Sequence, residues 1–277
     1  MPVKIDAFHM MIVSKYFPSI EDLINLEFVC SKFQGNMEKF HFNPFSLTPK
    51  TRKYFPHLQT IFLYTPDDEI FDDDEVAQRS CQYLINYTTS LSKRNVKVLY
   101  PRIEFNSKDA VFNTAIPTCV VSIKSHCFKR LSLNEIDIPE RVSSIGEHAF
   151  EDCKYLKEIT FPLCVVQMQE SAFEGCLSLT SIILPKALRT IGYKAFYNCS
   201  KLKNVDFGEN LVEIQSFAFR GCLSLKDVNL PETIETVDTE AFLACINLKT
   251  IKIPDNVTTI TLRNNIKSAL KRALKMY

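Results

Sequence analysis

Cysteine and histidine are the residues here whose types and spacing could carry chemistry, and the cysteines are the more regular. Cys153, Cys176, Cys199, Cys222 and Cys245 recur every 23 residues, each three residues after Phe150, Phe173, Phe196, Phe219 or Phe242. Ten cysteines in 277 residues could serve disulfides or zinc. Zinc sites usually draw on Cys-x-x-Cys or closely spaced Cys and His pairs. The chain has no Cys-x-x-Cys, and no histidine stands at ligand spacing from the ladder. An odd ladder cannot pair completely, and disulfide geometry is demanding. These thiols read as buried, reduced, small hydrophobes whose S–H groups donate to a backbone carbonyl at a turn. Cys30, Cys81, Cys119 and Cys164 lie outside the register and show no framework. Such a chain suits a reducing compartment.

The histidines are His9, His41, His57, His126 and His148. His126 and His148 occupy aligned positions in neighbouring repeats, near Lys124 and Glu147. Proton transfer needs a further group held within hydrogen-bonding reach. The repeat supplies none, so the pair reads as a surface pair. Asp67, Asp68, Glu69, Asp72, Asp73, Asp74 and Glu75 form a dense acidic run. Its spacing departs from a calcium loop and it lacks the glycine of the sharp turn. It reads as a solvated loop or helix start, with attraction of a basic partner as the other reading. Six glycines, none in a phosphate-binding loop, complete the case against an enzyme. No catalytic, cofactor-binding or metal-ligating residue is assigned.

The elements that position these side chains repeat with them. A 23-residue period signals a solenoid, in which each unit buries its apolar face against its neighbours. The units run from IGEHAFEDCKYLKEITFP through IGYKAFYNCSKLKNVDFG to VDTEAFLACINLKTIKIP. An earlier unit, IKSHCFKRLSLNEIDIP, is one residue short between Phe128 and Phe150 and has Leu131 where later units have cysteine. Pro117, Pro139, Pro162, Pro185, Pro231 and Pro254 share the spacing, with Gly208 standing in once. Proline suits a corner and not a ladder interior, so the chain turns there in every coil. Leu-x-x-Ile-x-φ, where φ is usually apolar, fills the space between phenylalanine and proline and alternates like a half-buried strand. Ala-Phe-x-x-Cys reads as a short helical or tight-turn segment. A second short extended edge, such as Val142 to Ile145 or Leu188 to Ile191, precedes it.

These units resemble the BspA-type, treponema-like leucine-rich repeat of bacterial surface proteins, a class expanded in parasitic protists. The resemblance covers roughly residues 117 to 260. It implies an α/β solenoid, a right-handed leucine-rich repeat coil with a parallel, continuous strand face. It also implies a parasitic-protist source, protein recognition as the role, and no catalytic residue.

Four regions follow: a helical N-terminal cap over 1–55, irregular leading repeats with the acidic loop over 56–116, the repeats over 117–262, and an amphipathic C-terminal cap helix over 263–277. In the first, Ser19 is a helix N-cap signal ahead of Leu23 and Leu26. The string DLINLEFVCSKF is similar to an F-box core, but the Leu-Pro opening is missing. In the second, LQTIFLY (58–64) and Val96 to Leu99 repeat the strand pattern, and Gln78 to Leu91 reads as a helix with Cys81, Leu84 and Ile85 inward. In the last, Ile266, Leu270 and Leu274 line one helical face, with Lys267, Lys271, Arg272 and Lys275 around it. Such a helix can close the last coil or lie on an anionic membrane.

Thirty-three basic and 32 acidic residues give a formal charge of +1, which offers no field for nucleic acid. The N-terminus does not read as a signal peptide, and no apolar span is long enough for a membrane. A cytoplasmic protein is expected, with the cell surface, by unconventional export, as the alternative.

The partner site is expected on the outward strand positions and the lysine row before them: Lys157, Glu158, Ser181, Ile183, Lys203, Asp206, Lys226, Asn229, Lys249 and Lys252. The leading reading is a non-enzymatic protein-interaction scaffold that needs no cofactor and binds an unidentified protein. The alternatives are an F-box-like substrate adaptor of a ubiquitin ligase, a surface or adhesion protein, and a structural homo-oligomer.

Overall fold

The computed structural model describes residues 12–13, 16–29, 31–71, 76–92, 98–112, 115–238 and 240–254. The chain divides into two compact units, Met1–Ile85 with Thr89–Arg102, and Asn86–Thr88 with Ile103–Tyr277.

In the first unit, a helix spans Ile20–Val29. Ser19 caps it, since its Oγ accepts from the Asp22 backbone N–H (3.3 Å) and donates to the Asp22 carboxylate (2.8 Å). This meets one of the orphan donors of the first turn. Leu23 alone of the helix is buried, in a core with Met37, Phe40, Phe55, Leu58 and Ile61. Strands β1 (Thr60–Leu63), β2 (Gln78–Cys81) and β4 (Val98–Leu99) follow and form a parallel sheet in that order, while β3 (Ile85–Asn86) falls at the division between the two units. The segment LQTIFLY thus supplies β1, and Val98–Leu99, the described part of Val96 to Leu99, forms β4. The helix expected over Gln78 to Leu91 is replaced by β2, β3 and a helix confined to Tyr87–Ser92. Pairing of Arg79 against Ile61 and Ser80 against Phe62 satisfies the β2 backbone, and Leu84 is exposed. Cross-strand partners overrode a helical spacing that local pattern alone suggested.

The acidic run begins in a structured turn. Asp68 accepts from the Tyr64 N–H (2.6 Å), Ser46 Oγ (3.0 Å) and Thr65 Oγ1 (2.5 Å). Burial pulls its pKa up, but these hydrogen bonds outweigh it and hold the carboxyl below its ordinary value. Asp72, Asp73, Asp74 and Glu75 lie outside the described residues.

The second unit is a solenoid whose coils each carry two extended edges. One edge is the row of three-residue strands: β7 (Glu135–Asp137), β9 (Glu158–Thr160), β11 (Ser181–Ile183), β13 (Asn204–Asp206), β15 (Asp227–Asn229) and β17 (Thr250–Lys252). The other contains β5 (Ile103–Phe105), β6 (Val120–Ile123), β8 (Ser144–Ile145), β10 (Gln167–Met168), β12 (Thr190–Ile191), β14 (Glu213–Ile214) and β16 (Thr236–Val237). The unbroken parallel ladder runs along this second edge, in the order β16-β14-β12-β10-β8-β6-β5. The three-residue strands hydrogen-bond only in pairs, β7 with β9, β11 with β13 and β15 with β17. This differs from the continuous face expected of them. The row opens between β9 and β11, where Thr180 N reaches Lys157 O at 3.5 Å, against 2.8 Å for Lys203 N to Thr180 O in the next pair.

The Ala-Phe-x-x-Cys segment is a tight turn, and it builds a third ladder. The N–H groups of His148, Phe150 and Asp152 donate to the carbonyls of Glu170 (2.9 Å), Ala172 (2.7 Å) and Glu174 (2.7 Å) one coil on. His148 (φ 54°) and Asp152 (φ 58°) are left-handed, as are Ser171 and Gly175, then Lys194 and Asn198, in the next coils. Left-handed φ is uncommon for residues with a Cβ, so the coil-to-coil hydrogen bonds hold it in place. Inside the turn, Phe128, Phe150, Phe173, Phe196 and Phe219 are fully buried. Together with Phe242 they stack at centroid distances of 4.9 to 5.4 Å, the coil repeat itself. Phe105 extends the column at 5.8 Å from Phe128. At the corner, Gly208 replaces proline where an added Cβ would sit 2.5 Å from Pro185 O. The amphipathic segment proposed as a C-terminal cap falls outside the described residues.

Candidate functional site

The cysteine ladder is structural. Each thiol donates to the carbonyl of the phenylalanine one coil earlier: Cys153 to Phe128 (3.0 Å), Cys176 to Phe150 (3.3 Å), Cys199 to Phe173 (3.2 Å), Cys222 to Phe196 (3.3 Å) and Cys245 to Phe219 (3.1 Å). All five are buried and free. Burial pushes their thiols up, to about 12 for Cys153 and Cys245 and well above the ordinary value for Cys176, Cys199 and Cys222. A group with so little thiolate is no nucleophile at neutral pH.

The three-residue strands carry the first candidate surface. In β7, β9, β11 and β15 the central residue is buried and its two neighbours are exposed. The pattern holds Glu158, Ser181, Ile183, Asp206, Asn229 and Lys252 outward, all exposed. Lys157, Lys203, Lys226 and Lys249 are exposed just before the strands. Backbone bonds fix their row, as Lys203 N donates to Thr180 O (2.8 Å) and Lys249 N to Lys226 O (2.7 Å). Ile183 is 70% exposed and lies opposite Asp206, while Asn229 lies opposite Lys252. Glu135 lies directly opposite Glu158, and Asp137 is next along the same strand. Like charges directly opposed across strands cost stability.

Two surfaces lie outside the strand row. The ladder of short strands carries an open groove lined by Glu147, Gln167, Gln169, Arg189, Thr190 and Gln215. Its signal in the sequence was the polar residues flanking Met168 and Ile191 in the short edge. On the turn side, Lys194 Nζ stands 5.1 Å from the Tyr193 ring and 5.4 Å from the Tyr197 ring. The Arg220 guanidinium stands 5.1 Å from Phe217 and 5.8 Å from Tyr197. These residues are half-buried and tie two neighbouring coils together through cation–π contacts. Repeat spacing hides them, because the tyrosines are not at repeat-defining positions.

The histidine pair differs from its sequence reading. The rings of His126 and His148 stack at 4.9 Å and 9°. Lys124 pairs instead with Glu104 (3.2 Å), and Glu147 is exposed in the groove. The third member is Glu151, whose Oε2 lies 2.8 Å from His148 Nδ1 and 2.7 Å from Lys129 Nζ. Both His148 Nδ1 and Glu151 Oε2 are buried, and neither approach has the angles of a hydrogen bond. Burial raises the Glu151 pKa, but Lys129 and His148 together hold it below its ordinary value. Glu151 went unread because its turn, not its spacing, brings it under His148.

A model of the BspA type leucine rich repeat region matches residues 102–177, 121–245 and 166–271. Among solved structures, the chain is similar to a leucine-rich repeat protein from Bacteroides ovatus, at 26% identity over 71% of this chain and 46% of that one, with a TM-score of 0.47. It is also similar to the T. pallidum leucine rich repeat protein TpLRR, at 27% identity over 61% of this chain and 83% of that one, with a TM-score of 0.49. A leucine rich cell surface protein from Faecalibacterium prausnitzii matches at 20% identity over 77% and 75%, with a TM-score of 0.41. The chain therefore spans about half the length of the Bacteroides protein. The curated proteins contain no match.

Proposed function

This chain belongs to the BspA-type leucine-rich repeat family, and from that premise we propose that it is a non-enzymatic scaffold that binds another protein through its three-residue strand row. One observation carries the reading: the like-charged pair Glu135 and Glu158 is held in direct register on an exposed face. A scaffold gains nothing from that pair, whereas a partner with a basic group there would neutralise it. Further along, Lys203, Lys226 and Lys249 form a row suited to acidic groups, with Ile183 as an apolar anchor between the two ends. The partner is thus a protein whose contact face is basic at one end and acidic at the other.

The free cysteines of the described residues favour a reducing, cytoplasmic location. No helix among the described residues is long and apolar enough to cross a membrane. The test is capture of partners from the source cell by wild type and by the triple variant Lys203→Glu, Lys226→Glu, Lys249→Glu, with Arg189→Glu as a groove control. The expected result is a partner lost by the folded triple variant and kept by Arg189→Glu. Loss in Arg189→Glu alone would move the site to the groove of the short-strand ladder.

A further inference from the structure

We propose that His126, His148 and Glu151 form a binding site for a divalent cation of the zinc class, with Lys129 as a built-in competitor. Their candidate ligand atoms all lie within 4.8 Å of one another. Two imidazoles and a carboxylate suit Zn²⁺ and its neighbours Co²⁺, Ni²⁺ and Cu²⁺, whereas Ca²⁺ and Mg²⁺ prefer oxygen ligands throughout. Three protein ligands leave a fourth position for water or a partner's side chain.

The backbone is organised for this before any cation arrives. His126 N–H donates to Glu147 O (2.9 Å) and His148 N–H to Glu170 O (2.9 Å), so both histidines are held left-handed, at φ 59° and 54°. Glu151 N–H donates back to His148 O (3.2 Å), which closes the turn that sets the carboxylate beneath the ring. The same left-handed position carries Ser171, Lys194 and Phe217 in later coils. The repeat therefore does not require histidine there, and two adjacent coils place it side by side. A second observation points to an ion. His148 Nδ1 and Glu151 Oε2 are buried, stand 2.8 Å apart and have no aligned hydrogen bond. Buried polar atoms are normally satisfied, and a shared cation would satisfy both.

Three adjustments complete the site. Ligand atoms about 2.0–2.2 Å from a tetrahedral zinc ion stand roughly 3.3–3.6 Å apart, so the widest pair of the cluster must close by as much as about 1.5 Å. The parallel rings also aim their lone pairs in parallel planes, so one ring must turn. His126 is exposed and free to do so. Lys129 must then leave the carboxylate, and its partly exposed side chain has room to swing into solvent.

The probe is Co²⁺, titrated into the full chain and followed by visible absorption. The expected result is stoichiometric uptake with d–d bands and without the near-ultraviolet charge-transfer band of a thiolate ligand. His126→Asn and His148→Asn keep a residue that tolerates left-handed φ. These two variants and Glu151→Gln should each weaken binding by roughly tenfold or more. Lys129→Met retains every ligand and should bind more tightly than wild type, whether or not the ligand variants fold. Failure of wild type and Lys129→Met to take up Co²⁺ overturns the site, as does a thiolate band. Unchanged affinity in the three ligand variants, or no gain in Lys129→Met, overturns it equally.

Discussion

Cysteine in this chain is a packing residue with one hydrogen bond to give. Each ladder thiol is small enough to sit inside the turn and reaches the carbonyl of the coil before it. That contact adds about 0.5 kcal/mol or less per coil, since a thiol is a weak donor. Cys119 and Cys164 differ in being half-buried. A thiol reagent applied to the folded protein at mildly alkaline pH should label Cys119 and Cys164 and spare Cys153, Cys176, Cys199 and Cys222 until urea is added. Peptide mapping reads the outcome, and labelling of Cys199 at the rate of Cys164 would show that the ladder opens in the native state. The spacing made this role legible, because a 23-residue repeat of phenylalanine and cysteine can only stack like upon like. Glu151 was not legible, because nothing in the spacing of His148 and Glu151 says that His148 itself is left-handed.

Among the elements, the two strand rows divide the work of the coil. The short strands carry the unbroken ladder and hold consecutive coils together. The three-residue strands bond in pairs and leave two outward positions each for recognition. Their period-two alternation was readable, since Ile136, Ile159 and Val228 are apolar between polar neighbours. Which row forms the long sheet was not, because both read as short extended segments. The cost of the opposed glutamates belongs to this level. Glu158→Gln should stabilise the protein by about 0.2–1 kcal/mol while weakening capture of the proposed partner, and urea unfolding checks the first half. A loss of stability would mean that Glu158 has a supporting role in the fold. At the other end of the chain, helix Ile20–Val29 leaves Phe28 and Val29 more than four-fifths exposed, which the expected cap does not explain.

At the scale of the whole molecule, the first unit has its own core, whereas stability in the second is shared between neighbours along the coils. Phe196 illustrates this, stacked at 5.4 Å on Phe173 and at 5.2 Å on Phe219. Phe196→Ala should cost about 3–5 kcal/mol and loosen the coils on both sides, because each unit is stabilised by its neighbours. Hydrogen exchange across the repeats would show it, and an effect confined to a single coil would contradict nearest-neighbour coupling. Taken alone, the amino-acid sequence determined the repeat, its inward residues, the reduced cysteines and the membership of a solenoid class. Those properties follow from periodicity, since a residue type recurring every 23 positions must face the same surroundings in every coil. Only the tertiary structure decided which edge carries the continuous ladder, that the turn holds left-handed residues at His148 and Asp152, that Gln78–Cys81 is a strand, and that Glu151 and Lys129 meet the histidines. These depend on backbone direction and on contacts between coils, which spacing along one chain does not encode.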